Sequence, residues 1–390
     1  MKQVSTFLST YTADVSGVPS ALYELGGMII MHDASGCNST YNTHDEPRWY
    51  DSKSMVYITG LTEIEAIMGD DNKFVDDIVR EAKSLHPKFI VVAGTPIPMI
   101  IGSDIKGLAR MIMSETNIKT FGIETNGMHS YVEGAGEALY QYAKYFVKKD
   151  VKKIENSVNI LGATPIDFSV NGQVESIEKF FTDNGISIIS NFAFGKNTVN
   201  IPYAGRAAVN IVVSSVGIKV AEYLKKEFGT PYIVGIPYGD KLKKEMIYSI
   251  KNISESSKDG IIFLTDFNKN FKDDKIYIIG ESVASKSLAK YIYYKYRKTP
   301  LVISAVEGGN TYHGDVIKEL KIRESVTLES QDIFADDEDE IENIIKGAKM
   351  VIADPLYKPI ISNNTIFIKN PHEGFSGRLF RKEIMNLINL

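Results

Sequence analysis

Short apolar runs alternate with amphipathic stretches along most of this chain. The run 88–94 is typical of a buried strand, and it lies between two stretches, 74–85 and 104–115, whose apolar residues recur at helical spacing. The same order recurs at 275–280 and 285–296. Strands that alternate with helices pair in parallel through right-handed crossovers. The pattern therefore predicts an α/β protein built on parallel sheets.

The alternation falls into three successive segments of similar size. We expect a first α/β domain at 1–150, a second at 151–265 and a third at 266–370, because polar stretches interrupt the pattern near these boundaries. Residues 371–390 are expected to pack back on the core as a C-terminal helix.

Three finer expectations concern single elements. The last helix should run over 379–390, after a glycine-containing turn. The stretch 204–213 suits a helix or a strand equally well, and a short helix is expected near 315–320.

Composition narrows the class of protein. The 390 residues carry a net charge of −5, which argues against a nucleic-acid surface. No apolar run approaches the roughly 20 residues that span a bilayer, and the first residues do not resemble a signal peptide. A single cysteine excludes an intrachain disulfide, so the cytoplasm is the expected compartment.

Several familiar nucleotide and catalytic motifs are absent from the sequence. The nearest approach to a phosphate loop, 195–198, lacks its preceding glycine and its hydroxyl after lysine, so this chain is not expected to bind ATP. The Gly134-Ala135-Gly136 run has no third glycine, which argues against NAD. The six histidines show no paired metal spacing, and no G-x-S-x-G elbow occurs.

The only cysteine, Cys37, follows a predicted strand at 26–31. It should therefore lie on a loop at the carboxyl end of a parallel strand, where ligands bind in open α/β sheets. An iron–sulfur cluster usually takes four thiolates, so Cys37 alone cannot hold one. The alternative is a small buried thiol without chemistry, since free cysteine is often buried.

Several motifs, in order, resemble the nitrogenase component 1 family. The segment 32–37 resembles the family's H-G-x-x-G-C, and 42–47 resembles the N-R-H-F-x-E-P of its β-type subunits. The run 101–105 resembles I-G-D-D-I. Residues 125–127 with Gly134 resemble the T-x-G-F…G loop, and 159–162 resemble the N-x-x-G that opens the second domain. Residues 228–239 resemble the F-G-x-P…P-x-G pair, and 374–377 resemble the terminal G-Y-x-G.

This resemblance implies three Rossmann-like domains around a cleft. In that family two such subunits face each other, and cysteines near first-domain strand ends hold an iron–sulfur cluster at their interface. A separate ATP-dependent iron–sulfur reductase supplies electrons, and substrate lies between the domains. The family includes light-independent protochlorophyllide reductases as well as nitrogenases.

The chain departs from the family's three-cysteine pattern. The first cysteine would fall near Thr12 and the third at Pro96, so only the middle one, Cys37, remains. In the protochlorophyllide reductase type, one subunit gives three cysteines and its partner gives one aspartate at the position of Cys37. The resemblance thus implies a one-ligand subunit that shares a [4Fe–4S] cluster with a related subunit, in a homo- or hetero-oligomer.

The resemblance also suggests roles for other residues. Around the cluster we expect His32, Ser35 and Gly36 beside the ligand Cys37. For the substrate cavity the candidates are Asn126, His129 and His313. For reductase docking they are Ser103 and Asp104.

Two functions follow from these patterns. The first is a subunit of a nitrogenase-like oxidoreductase that is an enzyme as part of its complex. The second is a cluster-free scaffold or small-molecule-binding subunit that kept the fold, which the missing cysteines motivate. The sequence selects neither the substrate, nor the remaining cluster ligands, nor a catalytic proton donor.

Overall fold

Parallel strands form every sheet of the computed structural model, which describes residues 6–9, 11–34, 36, 46–69, 71–149, 151–256, 274–307 and 333–389. The chain divides into two compact units, Thr12–Tyr145 and Met1–Tyr11 with Phe146–Leu390. The α/β class predicted from the alternation is confirmed. The domain boundaries at 150, 265 and 370 stay a prediction.

The unit Thr12–Tyr145 contains one four-stranded sheet in the order β2-β1-β3-β4. Its strands are β1 Met28–Met31, β2 Met55–Ile58, β3 Ile90–Ala93 and β4 Thr120–Ile123. Its helices are α1 Asp14–Leu22, α2 Glu63–Met68, α3 Asp71–Leu85, α4 Pro96–Ile101, α5 Ile105–Thr116 and α6 Tyr131–Phe146. Strands β1 and β3 are buried at every residue, because helices cover a sheet of this kind on both faces.

One face of this sheet packs against α3 and α5. Ile78 and Ala82 of α3 are buried with Leu108 and Ile112 of α5, in a core that includes Ile30. Ile78 and Ala82 repeat at helical spacing, as the amphipathic pattern predicts, but Leu85 on the same predicted face is exposed to 39%.

The second sheet has the order β6-β5-β7-β8. Its strands are β5 Ile154–Leu161, β6 Ser187–Asn191, β7 Ala207–Val212 and β8 Tyr232–Val234. Its helices are α7 Pro165–Phe168, α8 Gln173–Asp183, α9 Ile218–Phe228 and α10 Gly239–Ser256, and a 3-10 segment runs over Lys196–Arg206. The ambiguous stretch 204–213 is therefore largely strand β7, which pairs with β5 and β8.

The third sheet has the order β11-β10-β9-β12-β13. Its strands are β9 Ile276–Gly280, β10 Leu301–Ser304, β11 Ile333–Phe334, β12 Met350–Ala353 and β13 Ile366–Lys369. The helices that accompany it are α11 Ser282–Tyr296, α12 Glu338–Ile344 and α13 Glu373–Ser376. The helix expected near 315–320 lies outside the described residues.

The prediction of one helix over 379–390 is wrong. The structure has 3-10 segments at Gly377–Glu383 and Leu387–Asn389. Tertiary hydrogen bonds hold this segment: Asn171 Nδ2 donates to Ile384 O at 3.0 Å, and Asn386 Nδ2 donates to Ser176 Oγ at 3.0 Å. These bonds to distant residues take the place of a continuous α-helical ladder. None of the described helices is long and apolar enough to cross a membrane.

Candidate functional site

Two threonine hydroxyls anchor the chain where it leaves β1. Thr95 Oγ1, just after β3, lies 2.7 Å from His32 O and 2.9 Å from Asp33 Oδ1. Thr59 Oγ1, just after β2, lies 3.1 Å from Asp33 N and 3.1 Å from His32 Nδ1. His32 and Asp33 are therefore held at the carboxyl ends of three neighbouring strands.

His32 is buried, and its ring is uncharged. Its ring packs 4.6 Å from the ring of Phe74 on α3, centroid to centroid. Burial lowers the pKa of the His32 imidazole, although nearby carboxylates such as Asp71 oppose the shift. The ring is therefore neutral at pH 7, and it supports the loop that follows rather than adding positive charge to it.

The predicted ligand Cys37 and its neighbour Ser35 lie outside the described residues. Gly36 is described and exposed, and a Cβ built there would meet no atom of the described residues within 4 Å. The chain thus leaves the anchored His32–Asp33 pair and reaches open surface within three residues. No group of three or more His, Cys, Asp or Glu side chains in the described residues is arranged to hold a metal ion.

A pocket of about 250 Å³ opens beside His32. Tyr57, Thr59 and Phe74 line it together with His32, and Glu65 and Ser103 are also among its lining residues. Glu65 accepts a hydrogen bond from Lys73, which also lines the pocket.

The docking candidates Ser103 and Asp104 lie at the start of α5. Asp104 Oδ1 accepts a hydrogen bond from Gly107 N at 2.7 Å, so it caps the helix. Its other oxygen lies 3.2 Å from Arg110 Nη2, and the Asp104 side chain is largely exposed. This geometry accounts for Asp104 structurally and leaves its docking role a prediction.

The cavity candidates Asn126 and His129 meet around Asp14, a buried residue that sequence reasoning missed. Asp14 accepts hydrogen bonds from the backbone of Asn126 at 3.2 Å and of Gly127 at 2.8 Å. His129 Nδ1 lies 3.5 Å from Asp14 Oδ2. Burial raises the pKa of the Asp14 carboxyl, which these donors and His129 partly offset. The third candidate, His313, lies outside the described residues.

A second group of buried polar residues lies where the second and third sheets meet, and sequence reasoning missed it too. Ser215 follows β7, Glu281 follows β9 and Glu307 comes three residues after β10. Ser215 Oγ lies 2.6 Å from Glu281 Oε1 and 2.7 Å from Glu307 Oε1. An acidic residue close behind each of two buried strands was the available signal in the sequence.

Asp167 and His372 lie near this group. Asp167 Oδ2 accepts a hydrogen bond from Ser214 Oγ at 2.6 Å, and Asp167 Oδ1 lies 3.3 Å from His372 Nε2. Burial lowers the pKa of the His372 ring, but the nearby Asp167 carboxylate outweighs this effect, so the pKa is raised overall. The backbone N–H of Gly374 donates to His372 Nδ1 at 3.0 Å, so the ring proton lies on Nε2, which faces Asp167.

Comparison with known proteins identifies the family. Residues 25–350 match the family of nitrogenase component 1 type oxidoreductases. A light-independent protochlorophyllide reductase subunit from Nostoc punctiforme is 28% identical over 181 residues, which cover 44% of this chain and 36% of the relative. The corresponding protein of Tetradesmus obliquus is 27% identical over 228 residues, which cover 53% of this chain and 43% of the relative. The matches thus span less than half the length of these curated relatives.

Solved structures share the fold. A structure titled "Nitrogenase Cp1 at pH 6.5" superposes with a TM-score of 0.65 at 15% identity, over 100% of this chain and 89% of that chain. At this identity the likeness concerns the fold alone. It agrees with the parallel sheets described above.

Proposed function

This chain belongs to the nitrogenase component 1 type oxidoreductase family, and from that premise we propose that it is one subunit of a nitrogenase-like oxidoreductase. In this proposal Cys37 supplies one thiolate to a [4Fe–4S] cluster at a subunit interface. An ATP-dependent iron–sulfur reductase delivers electrons, and the substrate binds in a cleft between the domains. The cluster, when bound, supplies one-electron transfer.

The anchored His32–Asp33 pair is the observation that carries this proposal. It is tied by Thr59 and Thr95 to the ends of β2 and β3, the two strands that flank β1, and Cys37 follows it four residues later in the sequence. A ligand loop needs a rigid base, because metal sites tolerate little displacement of their donors. The anchor provides that base without using a histidine charge.

The donor set of this chain fits one share of a cluster. One cysteine is present, and four thiolates are usual. The remaining ligands therefore come from a related partner subunit, or from a second copy of this chain together with groups other than cysteine.

Two helices of the unit Thr12–Tyr145 expose apolar side chains, which supports the proposal of a partner subunit. Helix α2 buries none of its residues, yet it carries Ile64, Ile67 and Met68 on its surface. Helix α4 exposes Ile100 to 75%. Both helices contribute residues to the pocket beside His32, because Glu65 belongs to α2 and Ile101 to α4. Apolar side chains in this number are typical of a surface that another protein covers.

The test is anaerobic co-purification of the chain with its natural partner subunit. We expect iron and sulfide to be bound by the complex, and Cys37→Ser to lower both. Leu379→Ser, at an exposed side chain of the other compact unit, is the control, since it introduces the same residue and keeps the thiol. Iron and sulfide that stay unchanged in Cys37→Ser would contradict the ligand role.

The single cysteine also favours a second candidate function, a cluster-free scaffold or small-molecule-binding subunit. It predicts a colourless, iron-free complex that still binds a small molecule. Iron content and visible absorption of the anaerobic complex therefore discriminate between the two functions.

A further inference from the structure

One serine hydroxyl bridges two buried carboxyl groups. Ser215 Oγ lies 2.6 Å from Glu281 Oε1 and 2.7 Å from Glu307 Oε1, which are both hydrogen-bond distances. A hydroxyl has a single proton, so it can donate to only one of the two oxygens. The other short contact requires a proton on a carboxyl group. We propose that Glu281 and Glu307 share one proton through Ser215 at neutral pH and that this proton joins the second sheet to the third.

Backbone amides fix both carboxyl groups in place. Ser215 N donates to Glu281 Oε1 at 2.8 Å, and Ala284 N donates to Glu281 Oε2 at 2.7 Å. Ser282 N donates to Glu307 Oε1 at 2.7 Å. Because these amides hold the carboxyl groups, neither can turn away to relieve their repulsion. A proton between them is the remaining way to remove it.

Burial makes the proton costly to release. Ser215, Glu281 and Glu307 are each no more than 1% exposed. Burial raises the pKa of Glu281 to about 8, and repulsion from Glu307 and Asp167 adds to the shift. Two adjacent carboxyl groups of this kind retain one proton well above the pH at which a single exposed acid loses it.

Among the described residues, four other titratable groups face the pair. They are Asp167 on α7, Tyr238 after β8, Lys286 on α11 and His372 before α13. Burial lowers the pKa of Lys286 to about 8, against the attraction of Glu307 and Glu281. A single ammonium can balance only one carboxylate. Asp167 adds a further negative charge, so the local charges favour keeping the second carboxyl protonated.

The sign of the pH dependence follows from the raised pKa. The folded chain keeps a proton that the unfolded chain loses above the ordinary glutamate value of 4.5. The contribution to stability is therefore complete below that pH and declines as the pH rises to about 8. Because the folded state holds one more proton than the unfolded state, the folding equilibrium constant falls about tenfold for each unit that the pH rises over this interval.

Infrared spectroscopy of the full chain with ¹³C-labelled glutamate tests the proposal. In wild-type protein at about pH 7 we expect a carboxylic-acid C=O band that disappears as the pH passes about 8. Glu281→Gln and Glu307→Gln should each lose the band, because the remaining carboxylate then accepts the Ser215 proton alone. Absence of the band from the wild type, or its persistence in both variants, would overturn the proposal.

A control with the opposite sign is available in Glu338. This buried carboxylate accepts hydrogen bonds from Phe7 N at 2.9 Å and Leu8 N at 2.7 Å. Burial raises the pKa of Glu338, but these donors outweigh it and the pKa is lowered overall. The contribution of Glu338 to stability is therefore lost as the pH falls. Glu338→Gln should leave the carboxylic-acid band intact. The wild-type titration needs no variant, so the proposal stays testable if a substitution prevents folding.

Discussion

At the scale of single residues, two threonines anchor His32 and Asp33 at the end of β1. Thr95 directly precedes α4, where a hydroxyl commonly caps a helix, but it makes no capping bond. Its hydroxyl instead lies against His32 O and Asp33 Oδ1. The motif in the sequence predicts a loop after this strand. Its anchor could not be predicted, because Thr95 is 62 and 63 positions away from its partners.

Thr95→Val should weaken this anchor at nearly constant volume. The buried His32 carbonyl loses its hydroxyl donor, so we expect the free energy of unfolding to fall by about 1–3 kcal/mol. Urea denaturation measures this loss. Cys37 is the only thiol, so its alkylation rate reports on the loop directly, and we expect that rate to rise.

Thr95→Ser is the matched control, because it keeps the hydroxyl and removes one methyl group. It should alkylate at close to the wild-type rate. If Thr95→Val and Thr95→Ser alkylate equally fast, the hydroxyl does not restrain the loop.

At the scale of elements, two glycines bring α1 and α6 into backbone contact. A Cβ at Gly134 of α6 would overlap the carbonyl oxygen of Asp14, and one at Gly17 of α1 would overlap that of Tyr131. Neither obstacle can rotate away, since both are main chain. The sequence showed Gly134 only as part of a glycine run and of a loop motif. Its packing role follows from where α1 lies in the folded unit.

Gly134→Ala should therefore destabilise the chain, by about 3 kcal/mol or more, through forced separation of the two helices. Alanine has the higher helix propensity, so local effects alone would stabilise. Gly107→Ala in α5 is the control, because its obstacle is the exposed Asp104 side chain, which can move at the loss of its capping bond, about 1 kcal/mol. Urea denaturation measures the free energy of unfolding of both variants. An equal loss in the two would contradict close helix packing as the cause.

At the scale of the whole molecule, the apolar surfaces of α2 and α4 are expected to be covered by a partner subunit. Helix α2 is held locally by a capping box between Thr62 and Glu65, so it does not need burial of its isoleucines in order to form. Side chains that local structure leaves exposed are available for an interface. The proposed one-ligand role of Cys37 requires an interface as well.

The double variant Ile67→Glu/Ile100→Glu should weaken association with the partner, raising Kd at least about tenfold, because two charges would be buried in the interface. Analytical ultracentrifugation of mixed subunits measures this. Leu379→Glu, on an equally exposed apolar residue of the other unit, is the control. Unchanged Kd with unchanged thermal stability would mean that the two helices lie outside the interface.

The sequence by itself determined the parallel α/β class and the family. The class could be predicted because local periodicity shows which residues of a strand or helix are buried. The family could be predicted because the ordered motifs span nearly the whole chain. Tertiary structure alone decided which polar groups meet. Ser215 lies 66 positions from Glu281 and 92 from Glu307, and the sheets bring the three together. The same reason accounts for the stretch left open and for the wrong prediction: 204–213 is largely a strand because of its neighbours in the sheet, and 379–390 lost its helix to distant hydrogen bonds.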